Sequence, residues 1–202
     1  WLLVSGCSQK DPVISDPAPP APNPRVLLYK QWETPAAALV LSGEQHGYIE
    51  PCGCSETQSG GLARRADLIR ELTARGWPVA ALDLGGTLKR NNLQSQIKFE
   101  TILKALEPLR YSALALGREE LQLGEGYFLN SHQSRLNPNG DDVHPVLAAA
   151  NVVIYDAPEL GPVRSQTVTI GDVKIGVTAI VGLSVKEKLF AEGADETTLA
   201  IK

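Results

Sequence analysis

The stretch Pro78-Val79-Ala80-Ala81-Leu82-Asp83-Leu84 constrains this chain most, being apolar at every position but Asp83. A strand with one wet face alternates apolar and polar residues, whereas an unbroken apolar run belongs to a strand covered on both faces. Such a strand needs neighbours at its edges and a layer on each side. The expectation is a layered α/β domain with a largely parallel sheet flanked by helices.

The flanking sequence fits that plan. Val26–Tyr29 reads as a short strand and Ala36–Leu41 as the first firm one. Leu62, Ala66, Ile69 and Leu72 repeat at helical spacing, and Gly76 stands where a helix C-cap belongs. Ser95–Glu107 reads as a second amphipathic helix, with Ile97, Ile102, Ala105, Leu106 and Leu109 near one face and Pro108 marking its end. Tyr111–Leu116 follows as a strand and Glu119–His132 as a helix containing Gly124 and Gly126. After a turn-rich Asn137–Asp142, strands are expected at Val146–Ile154, Gln166–Ile170 and Val173–Val181, with Gly171-Asp172 as a hairpin turn. The last twenty residues show no closing feature, and no internal repeat is present.

With 202 residues, 43% apolar and 21% charged, the chain can bury the core of one domain. A net charge of −4 gives no electrostatic footprint for nucleic acid. No stretch is long enough to span a membrane. Residue 1 is Trp and there is no Met, and Trp1–Cys7 looks like the tail of a secretion signal. Val4-Ser5-Gly6-Cys7 resembles a bacterial lipobox, so Cys7 is the expected lipidation site. The expected product is an exported lipoprotein, held to a membrane by acyl chains and facing the periplasm or cell exterior. The chain is expected to begin inside that signal, with residues 1–7 its remnant. Residues 8–25 form a proline-rich tether, with six prolines between Gln9 and Arg25. At polyproline rise it would hold the body, residues 26–202, about 50 Å from the anchor.

Unusual chemistry gathers in Leu41–Arg65, LSGEQHGYIEPCGCSETQSGGLARR. Glu44, Gln45 and His46 should emerge at the C-terminal end of a strand, where open α/β sheets keep their ligand sites. Cys52 and Cys54 lie two apart, in a compartment that export makes oxidising. Three states stay open for them: a tight disulfide, shared metal ligation, or free thiols. With His46 they form H-x5-C-x-C, and Zn or Cu would accept that mixed sulfur and imidazole shell. Arg64 and Arg65 at a helix start could meet an anion with the Gly60 and Gly61 amides, although packing or ion-pair roles are commoner. His132 and His144 read as ordinary surface or partly buried histidines, and Glu119 and Glu120 as a solvated helix start.

The order of these motifs resembles the N-terminal half of the calcineurin-like metallophosphoesterases, and in particular the exported 5′-nucleotidases. The likeness runs from about Ala36 to Gly182: strand, G-x-x-H-G, GGLAR-helix, strand ending LDLGG, helix, ALALGREELQLG, then HPVLAAANV. It implies that the chain is truncated at its C-terminus, with further histidine motifs beyond Lys202. It also implies a site of carboxylate, His and Asn ligands holding divalent metal (Mn, Zn or Fe) that orients water for attack on phosphorus, and a nucleotide or other phosphoester ligand. Where that family has Asp-x-His, this chain has Glu44-Gln45-His46. Where it has Gly-Asp, whose Asp bridges two ions, this chain has Gly85-Gly86, with Asp83 three residues earlier. Where it has Gly-Asn-His-Glu, this chain reads Gly117-Arg118-Glu119-Glu120. A permanent cation in place of a ligand and loss of the bridging carboxylate both oppose two-metal chemistry. The resulting expectation is a domain with a largely lost two-metal site and a binding or redox role at Glu44–Cys54. A hydrolase with altered ligands using Glu44 and His46, and a purely structural lipoprotein module, are the alternatives.

Overall fold

The computed structural model describes residues 28–51, 60–133, 135 and 144–202. The signal remnant, the whole tether, Cys7, Cys52, Cys54 and the turn at 137–142 lie outside the described residues. The chain divides into two units, Trp1–Glu33 and Thr34–Lys202. In the first, Leu28–Gln31 is a short 3-10 turn, so the part of Val26–Tyr29 that is described is not a strand.

The second unit contains five α-helices, one short 3-10 helix (Glu107–Leu109) and eight strands among its described residues. Four parallel strands form the main sheet in the order β1 (Ala38–Ser42), β2 (Val79–Asp83), β3 (Tyr111–Ala115), β4 (Val146–Ala148). All five residues of β2 are buried, which is why its sequence lacks polar alternation. The chain crosses between β1 and β2 through α1 (Leu62–Ala74) and between β2 and β3 through α2 (Leu93–Leu106). Then α3 (Arg118–Leu121) and α4 (Glu125–Gln133) lead to β4.

Two cores lie on opposite faces of this sheet, because successive strand residues point to opposite sides. Ala81, Leu114 and Leu147 join the larger core with Ile69 of α1, Phe99 and Leu103 of α2 and Phe128 of α4. Their sequence neighbours Ala80, Leu82, Ala113, Val146 and Ala148 join Val168 and Ile170 in the second core. Those last two residues belong to β6 (Gln166–Ile170), which pairs antiparallel with β7 (Val173–Val177) across the Gly171-Asp172 turn. A second antiparallel pair joins β5 (Val152–Ile154) to β8 (Leu199–Ile201), and α5 (Leu183–Ala191) precedes β8. The layered α/β expectation, parallel first and antiparallel later, holds.

Element ends follow local chemistry. After α1, Gly76 N–H donates to Thr73 O at 2.9 Å and Trp77 N–H to Leu72 O at 3.2 Å, a Schellman closure that needs the left-handed φ of 78° at Gly76. The Asn92 side chain caps α2 by accepting from Ser95 N at 2.9 Å, so that helix begins at Leu93 rather than Ser95. Ile97 is 61% exposed, contrary to its expected place on the apolar face. The expected helix Glu119–His132 is two helices, broken at Gly124 with φ 92°. Likewise Val146–Ile154 is two strands in different sheets, β4 and β5.

Candidate functional site

Three loops leave the C-terminal ends of β1, β2 and β3 side by side. The first two keep their parallel pairing beyond the strands: Glu44 N–H donates to Gly85 O at 2.8 Å, His46 N–H to Gly86 O at 2.9 Å and Gly47 N–H to Thr87 O at 2.6 Å. The approach is close enough to demand glycine at 85, where a Cβ would stand 2.7 Å from Ala115 O of the third strand.

Glu44 and His46 both adopt left-handed backbone, with φ 54° and 50°. A residue with a Cβ in that region costs roughly 1–2 kcal/mol, so the loop holds both against local preference. The result aligns the two side chains, with His46 Nε2 3.1 Å from Glu44 Oε2 and both largely open to solvent. An exposed pair of this kind contributes about 0–1 kcal/mol. Between them Gln45 is only 7% exposed, and neither its Oε1 nor its Nε2 has a hydrogen-bond partner among the described residues. Sequence reasoning gave Gln45 no role.

The Glu44 carboxylate lies over Gly86. A Cβ built on Gly86, whose φ is 67°, would meet Glu44 Oε1 at 2.7 Å and Glu44 Cα at 3.2 Å. The longer arm of Glu44 therefore fills the space into which a side chain at 86 would grow.

Asp83 is no substitute ligand. Its side chain is 0% exposed and paired to Arg65 Nη1 at 2.9 Å. It also accepts from Ser42 Oγ at 2.6 Å and from Gly85 N at 3.0 Å, while Ser42 Oγ in turn lies 2.9 Å from Tyr111 Oη. Of the two readings of Arg65, the ion pair holds, and Arg64 beside it is exposed.

Glu120 corrects the reading of a solvated helix start, for it is 0% exposed. Its Oε1 accepts from Thr87 N at 2.7 Å, Thr87 Oγ1 at 2.5 Å and Leu88 N at 3.1 Å. Its Oε2 accepts from Gly117 N at 2.8 Å and Gly86 N at 3.3 Å. One carboxylate thus satisfies four backbone amides and ties the second loop to the third. The signal for it was a Glu three residues after the residue preceding a helix, where a side chain bonds back to the N-cap amide. Glu119 instead pairs with Arg118 at 2.6 Å, and Arg118 reaches Glu192 at 2.9 Å. The hydrogen bond and charge of Glu119, followed by the charge of Glu192, hold the Arg118 guanidinium above its ordinary pKa.

Glu44, Gly86, Arg118 and Glu119 line a cleft of about 360 Å³, together with Lys188 and the exposed Ile180. A second cavity, of about 230 Å³, opens beside His46 and Tyr48. Among the described residues, no group of three or more His, Cys, Asp or Glu side chains could hold a metal ion. His132, 1% exposed, stacks on Phe128 with ring centroids 5.8 Å apart. His144 is half-buried, its Nδ1 3.2 Å from Ser112 O. Neither joins Glu44 and His46, and Cys52 and Cys54 lie outside the described residues.

No family profile matches the chain. Over 137 residues it is 30% identical to the snake venom 5′-nucleotidase of Crotalus adamanteus, a match covering 63% of this chain and 21% of that protein. Its structure is similar to the 5′-nucleotidase precursor from Thermus thermophilus, with TM-score 0.60 and 24% identity over 73% of this chain and 29% of that one. The chain thus spans about a fifth of the length of the curated relative it matches. Its α/β body, a four-stranded parallel sheet flanked by helices, has the 5′-nucleotidase-like fold.

Proposed function

We propose that this chain is an exported, lipid-anchored domain of 5′-nucleotidase-like fold that binds a phosphoester-type ligand without two-metal hydrolysis, with Glu44–Cys54 as its working segment. The observation that carries this is the Glu44 carboxylate filling the side-chain space above Gly86. A bridging carboxylate has no room there while Glu44 keeps its position. The remaining donors point the same way, since Asp83 and Glu120 are buried in their own hydrogen bonds and Arg118 brings a cation to the cleft. Glu44 and His46 are two donors, and that set does not fit two divalent ions. Cys52 and Cys54 give the same segment a redox or single-metal capacity of their own.

The test is an assay of the full-length protein against a nucleoside monophosphate and a generic phosphodiester, with Mn or Zn added. The expected result is no turnover that His46→Ala removes. Turnover abolished by that substitution would establish the alternative, a hydrolase using Glu44 and His46 with altered ligands. For the cysteines, thiol titration of exported protein before and after reduction should show a pair becoming free. Anchoring predicts that radiolabelled palmitate enters the wild type and not Cys7→Ser, and equal labelling would remove the lipoprotein assignment.

A further inference from the structure

The cavity that His46 and Gly47 help to line shares no lining residue with the Glu44 cleft and has a different chemistry. Its walls carry Lys89, Arg90 and Lys98, together with Tyr48 and the first turn of α2 at Gln94 and Ser95. Among the described residues no carboxylate lines it and none of these three cations makes an ion pair. Lys104, Arg110 and Lys174 also make no ion pair among the described residues, but Lys89, Arg90 and Lys98 converge on one cavity. The three cations come from two elements, the loop after β2 and the second turn of α2, so the fold converges them. Lys89 Nζ stands 5.7 Å from the Tyr48 ring centroid, which orients its stem. Lys98 Nζ lies 3.6 Å from where a Cβ on Gly47 would be, which brings the ammonium up to the loop after β1. Within the first turn, Asn92 caps Ser95 N, and the preceding amides of Leu93 and Gln94 have no acceptor among the described residues.

We infer that this cavity is a binding site for a phosphate-class oxyanion, as inorganic phosphate or the phosphate of a small soluble monoester. Three cations without an ion pair among the described residues, around a cavity of about 230 Å³, suit a compact, multiply charged anion, and its concavity suits a small molecule better than a planar membrane surface. The site does not depend on whether Glu44 and His46 turn over a phosphoester.

Isothermal titration of the full chain with inorganic phosphate, and separately with uridine monophosphate, should give saturable binding that weakens as salt rises. Neutralising one cation, in K98Q or R90Q, should weaken binding roughly fivefold, from one charge interaction at about 5 Å in water-like dielectric. The triple variant K89Q/R90Q/K98Q should lose at least tenfold, while R70Q, on α1, should change nothing. If the triple variant loses its native circular dichroism, the single variants carry the comparison. Equal affinity in wild type and variants overturns the assignment. So does absence of heat from phosphate combined with binding to phosphatidylglycerol vesicles, which would make the cations a lipid-facing patch. Hydrolysis in the presence of Mn would overturn the non-hydrolytic reading and leave this site standing, whereas binding that the cation variants leave unchanged would overturn this site and leave a phosphoester ligand at Glu44–Cys54 standing.

Discussion

Replacing Glu120 by Gln is the sharpest test of how the site loops are held. The substitution keeps size and one carbonyl oxygen but turns the other position into a donor. With the oxygen retained at the Oε1 place, it still accepts from Thr87 N, Thr87 Oγ1 and Leu88 N. The new amide then faces Gly117 N and Gly86 N, donor against donor. Hydrogen bonds to a charged group contribute about 1.5–3 kcal/mol each, and the long bond to Gly86 counts for the lower end or less. The expected loss is about 3 kcal/mol. Against the 5–15 kcal/mol usual for a domain, that leaves a folded protein whose urea midpoint falls clearly. Glu120→Ala removes the acceptor for all five donors at once and should cost about 5 kcal/mol or more, enough to unfold many domains. Equilibrium urea unfolding followed by circular dichroism reads both, and amide exchange at Gly86, Thr87 and Leu88 should speed up before global unfolding. Glu119→Gln, which weakens only the partly exposed pair with Arg118, should stay within about 1 kcal/mol of wild type. If Glu120→Gln unfolds within about 0.5 kcal/mol of wild type, the buried carboxylate is not what joins the second and third loops.

Arg65→Ala should cost about 3 kcal/mol in the same assay, because it leaves Asp83 buried with only Ser42 and Gly85 as partners among the described residues; a loss under 1 kcal/mol would refute that. Gly86→Asp should displace Glu44 and destabilise by about 1–2 kcal/mol, through left-handed backbone at a residue with a Cβ and crowding of two carboxylates, and Glu44→Ala in the same chain should recover part of it. Burial above all, then the charge and hydrogen bond of Glu100, raises the Tyr127 hydroxyl to about 12, against the opposing Ser131 hydrogen bond and Arg135 charge. Its folded pKa exceeds the unfolded value, so its contribution is present below pH 10 and lost as pH rises toward 12. An ultraviolet titration should show a tyrosine ionisation step near pH 12, and Tyr127→Phe should remove that step.

Much of the fold was legible because its signals are local. The apolar run at β2, Gly76 beyond α1 and Gly171-Asp172 between β6 and β7 each specify geometry within a few residues. The misses have non-local causes. Leu93 and Ile97 continue the apolar stripe of α2 by one turn, yet stand 74% and 61% exposed. The three residues of β8 form a strand by pairing with β5 nearly fifty positions earlier, a contact no sequence window contains. The long run after Asn137 hid a change of sheet between β4 and β5, enforced by Asn151, whose side chain bonds to Val181 O at 3.0 Å and Lys202 O at 3.1 Å.

For the site, sequence pointed to the ends of β1, β2 and β3, and the loops do converge there. It could not say which carboxylates face solvent, because that depends on how three separate loops stack. Glu120 goes in, Glu44 stays out, and Asp83 is consumed by Arg65 and Ser42. This division separates stability from surface chemistry. Glu120 links the second and third loops, and the Arg65–Asp83–Ser42–Tyr111 chain links all three strands, so no ligand bound at Glu44 is needed to hold the loop cluster together. Glu44→Gln and His46→Ala should therefore leave the melting temperature nearly unchanged, since they disturb one exposed contact. A sequence under such conditions is free to lose or replace surface donors without losing its fold. Glycine at 86 and arginine at 118 can stand where they do because the residues that shape the site are not the residues that face into it.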